Sequence, residues 1–198
     1  MIKIIEYKAG NAPSVMNALR ALGHNAEYAL KPEDLSNASC IILPGVGSAG
    51  ATMLSLKESG IFFELNDLVL NKKIPYMGIC VGMQILFDHS EEEDSPCFGW
   101  LKGNVVKFNS SLVRVPQMGW NRVIFNDNSS FRPEDAHFYF VNSYYAIPKK
   151  NDNIWGLSMY GEEFTSAVRK DNIFGTQFHI EKSGMHGLKL LDGFLKLC

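Results

Sequence analysis

The chain has 198 residues, of which 46% are hydrophobic, and a formal net charge of -2. This length and composition predict one domain, residues 1–198, with a sizeable core. The near-neutral charge and the lack of an evident basic face argue against a nucleic-acid partner. No apolar stretch approaches transmembrane length, and the N-terminal apolar run is too short and too soon charged for a signal peptide, so we expect no membrane partner.

The cysteine pattern indicates a reducing compartment. The four cysteines lack CxxC spacing and are too sparse for a disulfide framework. We therefore expect a cytoplasmic protein, in which a catalytic thiol stays usable. No residues have the spacing of metal ligands, and we expect neither a metal nor a cofactor.

The first half of the chain alternates short apolar runs with helical patterns. The predicted strands are residues 2–6, 26–30, 40–43 and 75–79, and the predicted helices are residues 12–22, 49–58, 61–71 and 81–87. Strands separated by helices predict parallel βαβ units in an α/β sheet.

The second half has a different pattern. Residues 105–108, 122–125, 138–141, 144–147, 166–169 and 173–178 read as strands, with turns such as Asn126-Asp127-Asn128 between them. They predict an antiparallel or mixed extension of the sheet, which a final helix over residues 185–197 follows. The acidic run at residues 91–94 is interpreted as a solvated loop.

The segment Gly78-Ile79-Cys80-Val81-Gly82 lies between a predicted strand and a predicted helix. It has the form of a nucleophile elbow, with cysteine at the nucleophile position. Glycines on either side allow the strained turn, and the helix N-terminus favours a thiolate. The backbone N–H of Val81 would be free to donate to an oxyanion. The alternative is a small buried cysteine packed behind a strand.

A candidate base and its orienting carboxylate lie near the other end of the chain. His179 and Glu181 are two residues apart at a predicted strand end, so in an extended chain both side chains leave the same face. A carboxylate there can accept the second imidazole N–H and fix the tautomer. Taken alone, His179 could equally be a satisfied core or surface residue, and Glu181 could pair with Lys182.

These motifs together resemble the class I, or triad, glutamine amidotransferases. The segments that carry the resemblance are residues 78–84 and 177–181. Three further segments resemble the glutaminase subunits of imidazole glycerol phosphate synthases: residues 43–47, 116–121 and 7–15. The chain departs from that pattern where Ile180 replaces the proline of His-Pro-Glu, where Gln117 replaces a histidine, and where Lys8-Ala9 replaces Gly-Met.

The resemblance implies a flavodoxin-like three-layer sandwich and a Cys80–His179–Glu181 triad that hydrolyses glutamine. It further implies that Val81 and a loop of Gly45, Val46 and Gly47 supply the oxyanion donors. The glycines of this loop would let a peptide flip, so the hole could stay unformed until a synthase binds. By resemblance, Gln84, Ser143 and Tyr144 bind glutamine.

The partner that the resemblance implies is a (β/α)₈-barrel cyclase, bound as a heterodimer through Asn11, Trp120 and Lys182. For Trp120, packing in the core is an equal alternative. A paralogous subunit that supplies ammonia for amidino groups on a bacterial surface sugar is the alternative pathway. Two other classes are a cysteine-dependent hydrolase of similar fold and a scaffold without activity. Residues 44–47 and the placement of Glu181 argue against the first, and the intact triad argues against the second.

Overall fold

The computed structural model describes residues 1–7, 11–126 and 132–198. The turn expected at Asp127 and Asn128, and the Lys8-Ala9 replacement, lie outside the described residues. Within them, no helix is long and apolar enough to cross a membrane.

The helices are α1 (Ala12–Ala21), α2 (Ala49–Glu58), α3 (Ile61–Asn66), α4 (Val81–Gln84) and α5 (Gly184–Leu195). The strands are β1 (Ile2–Ile5), β2 (Ala26–Ala29), β3 (Cys40–Gly45), β4 (Tyr76–Cys80), β5 (His89–Ser90), β6 (Ser95–Pro96), β7 (Gly103–Lys107), β8 (Gln117–Phe125), β9 (Ala136–Asn142), β10 (Tyr144–Pro148), β11 (Ile154–Tyr160), β12 (Glu162–Lys170) and β13 (Ile173–Thr176).

One side of the sheet is parallel, in the order β2-β1-β3-β4-β13. β1, β3, β4 and β13 are buried along their whole length, which explains their continuous apolar runs. The carboxyl ends of β3, β4 and β13 therefore lie side by side at one edge of the sheet. This is the edge at which open α/β sheets place their binding sites.

The rest of the sheet is mainly antiparallel, as the second half of the sequence predicts. β12 pairs with β13, β10 and β11, and β11 continues through β8 to β9. The α/β architecture with an antiparallel extension is thus confirmed. β11 is not among the predicted strands, because its two small residues, Gly156 and Ser158, interrupt the apolar pattern although both are buried.

Several predicted elements end at other residues in the structure, as three of them illustrate. The helix expected over residues 81–87 is a single turn, α4. The helix expected over residues 61–71 is α3 followed by a π-helical turn, Asp67–Asn71. The strand expected over residues 173–178 stops at Thr176, and a 3₁₀ turn follows at Ile180–Lys182. Apolar residues continue past each observed end, so hydrophobic pattern alone does not mark the boundary.

Candidate active site

Cys80 is the last residue of β4 and lies at the turn into α4. Its backbone has φ 56° and ψ -109°, a conformation that residues other than glycine rarely adopt. The two flanking glycines are required by close backbone contacts. A Cβ on Gly78 would overlap the carbonyl oxygen of Gly82, and a Cβ on Gly82 would overlap that of Leu43. Cys80 therefore has the strained backbone, and its flanking glycines have the close contacts, that the elbow motif predicts.

The N–H of Val81 opens α4, where the first residues of a helix have no acceptor within the helix. Cys80 does precede a helix N-terminus, but α4 is only four residues long. The N–H groups of a single turn therefore stand in for the longer helix that the sequence predicts. Val81 itself is buried and lines the cavity beside Cys80.

His179 and Glu181 form a buried pair. Nδ1 of His179 lies 2.8 Å from Oε1 of Glu181, and their side chains are 4% and 0% exposed. The extended-strand argument for this contact is wrong, because Glu181 belongs to the 3₁₀ turn after β13. The tight turn nevertheless brings the carboxylate to the imidazole. This contact fixes Nε2 as the ring nitrogen that remains for another partner.

The surroundings of His179 favour the imidazolium. Burial opposes the charged form, but hydrogen bonding and charge from Cys80 and Glu181 outweigh burial and raise the pKa of His179 to about 10. The sulfur and the carboxylate thus both act on the same ring. A protonated imidazole held between two acidic groups can later give its proton to a leaving amine.

Asn11 supports the carboxylate of this pair. Its Nδ2 donates to Oε1 of Glu181 at 2.9 Å, and the hydroxyl of Ser14 donates to Oδ1 of Asn11 at 2.8 Å. The sequence assigns Asn11 to a partner interface, whereas its side chain here points into the His179–Glu181 pair. A contact 170 residues apart in the chain leaves no local signal in the sequence.

Two glutamines lie behind the sulfur. Nε2 of Gln177 donates to Sγ of Cys80 at 3.7 Å, and Nε2 of Gln84 donates to Oε1 of Gln177 at 3.1 Å. Gln84 also donates to the carbonyl of Tyr144 at 3.2 Å. Gln84 lines the cavity, as a glutamine-binding residue would, but its amide N–H groups serve protein acceptors. Gln177 is the first residue of the segment 177–181 that carries the family resemblance, but the sequence does not predict its contact with Cys80.

The oxyanion loop, defined here as residues 45–47, lies next to the elbow. Gly45 pairs directly with Cys80 across β3 and β4. Gly47 has φ 92°, a conformation that favours glycine, and Val46 and Gly47 line the same cavity as Cys80. The three loop residues that the sequence assigns to the oxyanion hole are therefore beside Cys80.

A cavity of about 310 Å³ opens above Cys80. Ser143, Tyr144 and Lys182, all predicted site residues, line it. Glu92 lines it too, so the interpretation of residues 91–94 as a purely solvated loop is wrong for this residue. Its carboxylate accepts from the backbone N–H of Ala49 at 3.1 Å, and partial burial raises its pKa. A run of four acids gave no indication of which one turns inward.

Trp120 lies on the surface rather than in the core, with 57% of its area exposed. Met118, on the same face of β8, is 68% exposed. The core-packing alternative for Trp120 is therefore wrong, and an exposed apolar pair remains on β8. Among the described residues, no group of three or more His, Cys, Asp or Glu side chains could hold a metal ion.

Comparisons with known proteins identify the family. The family model of class I glutamine amidotransferases matches residues 3–197. The chain is 44% identical, over the full length of both chains, to imidazole glycerol phosphate synthase subunit HisH of Leptospira interrogans. It is 44% identical to subunit HisH 2 of Methanococcus maripaludis over 99% of each chain. It is 42% identical to subunit HisH 2 of Pseudomonas aeruginosa over the full length of both.

Solved structures show the same fold at lower identity. A crystal structure of a glutamine amidotransferase superposes with a TM-score of 0.78 at 20% identity, covering 99% of this chain and 97% of that one. The structure of PurLQS from Thermotoga maritima gives 0.77 at 23% identity, covering 98% and 97%. The family model and the full-length relatives together establish that the chain belongs to the class I glutamine amidotransferases.

Proposed function

We propose that the chain is the glutaminase subunit of an imidazole glycerol phosphate synthase, with Cys80, His179 and Glu181 as its catalytic triad. The observation that carries the proposal is the buried His179–Glu181 pair. Its imidazole lines the same cavity as Cys80, whose backbone is strained. The full-length relatives named as HisH subunits support the assignment to this synthase.

In the proposed reaction, the Cys80 thiolate attacks the side-chain amide carbon of glutamine, and the carbonyl electron pair moves onto oxygen. The N–H of Val81 and one N–H of the oxyanion loop stabilise that oxygen. His179 gives its proton to the amide nitrogen, the C–N bond breaks, and ammonia leaves. Water then attacks the glutamyl thioester while His179 accepts its proton, and cleavage of the C–S bond releases glutamate.

Glutamine would enter the cavity with its side-chain amide toward Cys80 and its α-ammonium and α-carboxylate groups away from it. Glu92 presents a carboxylate in the cavity, which complements an α-ammonium group. Ser143 and Tyr144 line the same space and offer polar groups to the rest of the amino acid. We assign Gln84 to holding Gln177 against the sulfur as well as to lining this cavity.

Ammonia that escapes into water at neutral pH is mostly protonated and no longer nucleophilic. The proposed subunit therefore delivers ammonia directly to a cyclase, which we take to be a (β/α)₈ barrel bound one to one. Lys182 at the cavity and the exposed Trp120 are the residues we assign to this interface. The cyclase would use the ammonia to form imidazole glycerol phosphate in histidine biosynthesis.

Complementation of a histidine auxotroph that lacks its own glutaminase subunit tests the proposed pathway. The gene for this chain, expressed with the cyclase of its own source, should restore growth without histidine. Cys80→Ala, expressed to the same soluble level, is the matched control and should not restore growth when glutamine is the nitrogen donor. Failure of the wild-type pair, with glutaminase activity present in the extract, would reject the histidine pathway and leave a different acceptor.

A further inference from the structure

Tyr7 lies two residues after the end of β1, and its hydroxyl lies against the start of the oxyanion loop. A Cβ built on Gly45 would lie 2.7 Å from the hydroxyl oxygen of Tyr7, 2.8 Å from Cβ of Val81 and 3.0 Å from the nitrogen of Gly82. The absence of a side chain at Gly45 thus leaves room for both the Tyr7 hydroxyl and the elbow. Tyr7 is the neighbour of Gly45 that no step of the proposed reaction uses.

The hydroxyl of Tyr7 accepts a hydrogen bond and keeps its own proton for another acceptor. Thr52 in α2 lies 2.9 Å from the carbonyl of Ser48 and 3.3 Å from the oxygen of Tyr7. The Thr52 hydroxyl therefore donates to the Ser48 carbonyl and, over the longer distance, to the Tyr7 oxygen, which accepts. This contact does not use the proton of Tyr7. That proton remains available to an acceptor that comes close.

The phenol keeps this proton under physiological conditions. Burial raises the pKa of Tyr7 to about 12, although the contact with Thr52 acts in the opposite direction; negative charge on Cys80 adds to the increase. Tyr7 is consequently a donor whatever the charge on the sulfur. Tyr76, a buried neighbour, illustrates the same use of a phenol, because its hydroxyl donates to the carbonyl of Gly82 at 3.1 Å.

An oxyanion donor from the peptide between Gly45 and Val46 requires that the N–H of Val46 face the sulfur of Cys80. In a planar peptide the carbonyl of Gly45 then points the opposite way. The Tyr7 hydroxyl lies against Gly45 and does not line the cavity, so it is a donor within reach of a Gly45 carbonyl that has turned away from the cavity. A buried carbonyl without a donor is costly, which makes a hydroxyl at this position valuable.

We propose that Tyr7 is a positioning residue that stabilises the oxyanion-competent form of the loop by donating its hydroxyl proton to the Gly45 carbonyl. Tyr7 touches no substrate and acts only through the loop. The inference rests on the proposed glutaminase function and adds a residue to it. It predicts that loss of the hydroxyl slows the steps with a negatively charged oxygen and leaves other properties of Cys80 unchanged.

The test compares wild type with Tyr7→Phe, each purified as the complex with its synthase. Glutamine hydrolysis gives kcat and KM, and inactivation by iodoacetamide gives the reactivity of the Cys80 thiol. Alkylation displaces iodide at a saturated carbon and forms no oxyanion, so it does not depend on the loop. Tyr160→Phe is the matched control, because it removes a hydroxyl that donates to the Arg114 carbonyl at 2.6 Å, away from the cavity.

For Tyr7→Phe we expect kcat to fall about tenfold, as the loss of one buried hydrogen bond would produce, with KM and the alkylation rate unchanged. Tyr160→Phe should keep all three values. A kcat of Tyr7→Phe within twofold of wild type would overturn the inference, as would a parallel loss of alkylation, which would indicate a general structural defect. Failure of the proposed function would look different, because wild type itself would then release no glutamate from glutamine.

Discussion

At the scale of single residues, the site depends on contacts that converge on the His179 ring. Glu181 fixes one side of the ring at 2.8 Å, and Cys80 lies at the other. Glu181 is in turn held by Asn11, which accepts from Ser14. One oxygen of Glu181 thus serves both His179 and Asn11, and the orientation of the imidazole depends on residues from both ends of the chain.

The raised pKa of His179 leads to a prediction about pH. Because the pKa rises from 6.5 to about 10 on folding, the contribution of the imidazolium to stability is fully present below pH 6.5. That contribution is lost as the pH rises toward 10. In Glu181→Gln, which keeps the shape of the side chain but removes its charge, we expect a lower pKa of His179 and a smaller loss of stability between pH 6 and pH 10.

The His179 ring signals in NMR spectra, followed from pH 5 to 11, give this pKa directly, and urea unfolding at pH 6 and pH 10 gives the stability. Glu163→Gln, a change at an exposed carboxylate on β12, is the control and should leave both unchanged. Identical titration of His179 in wild type and Glu181→Gln would show that the carboxylate does not act on the ring.

At the scale of elements, the elbow depends on the close approach of α4 to β3 and β4. Gly82 has no space for a side chain, because a Cβ would overlap the carbonyl oxygen of Leu43 in β3. Backbone atoms of a buried strand cannot move aside as a flexible side chain can. The position of Cys80 therefore depends on a glycine that does not itself line the cavity.

Gly82→Ala should therefore destabilise the fold by about 1–3 kcal/mol, the usual range for overpacking, and lower the rate of Cys80 alkylation. Gly50→Ala in α2 is a matched control, because its new Cβ would meet the side-chain oxygens of Ser95 and Glu93 rather than backbone. We expect a smaller cost at Gly50. Chemical denaturation of wild type and the two variants measures the loss of stability at each position. Equal losses at Gly82 and Gly50 would contradict the packing argument.

Sequence patterns predict these elements unevenly. The elbow motif predicts the strained turn at Cys80 because the glycine spacing is dictated by local geometry. The length of α4 is not predictable, since buried apolar residues continue to Phe87 beyond its end. The contact of Asn11 with Glu181, and the inward turn of Glu92, depend on tertiary packing that no local pattern records.

At the scale of the whole molecule, the site lies at the edge of the sheet where a synthase would dock. Lys182 is exposed and lines the cavity, directly after the turn that holds Glu181. A cation at this rim would be brought close to any partner that covers the cavity. Trp120 and Met118 present an apolar surface on β8, and interfaces favour aromatic and Met side chains.

Lys182→Glu should weaken association with the synthase, because it places a carboxylate where the partner is expected to meet a cation. Lys150→Glu has the same change in charge at an exposed residue that does not line the cavity, and it should bind as wild type. Isothermal titration at two salt concentrations measures both affinities. Equal affinity of the two variants would exclude Lys182 from the interface.

The most direct test of the central claim compares glutamine with ammonium as nitrogen donor for the complex that contains Cys80→Ala. We predict that this variant forms no product with glutamine but retains synthesis with ammonium salts at high pH, where free ammonia bypasses the cavity. Wild type should form product with both donors. Product formation from glutamine by Cys80→Ala would contradict the account, because the amide nitrogen would then be released without the thiol.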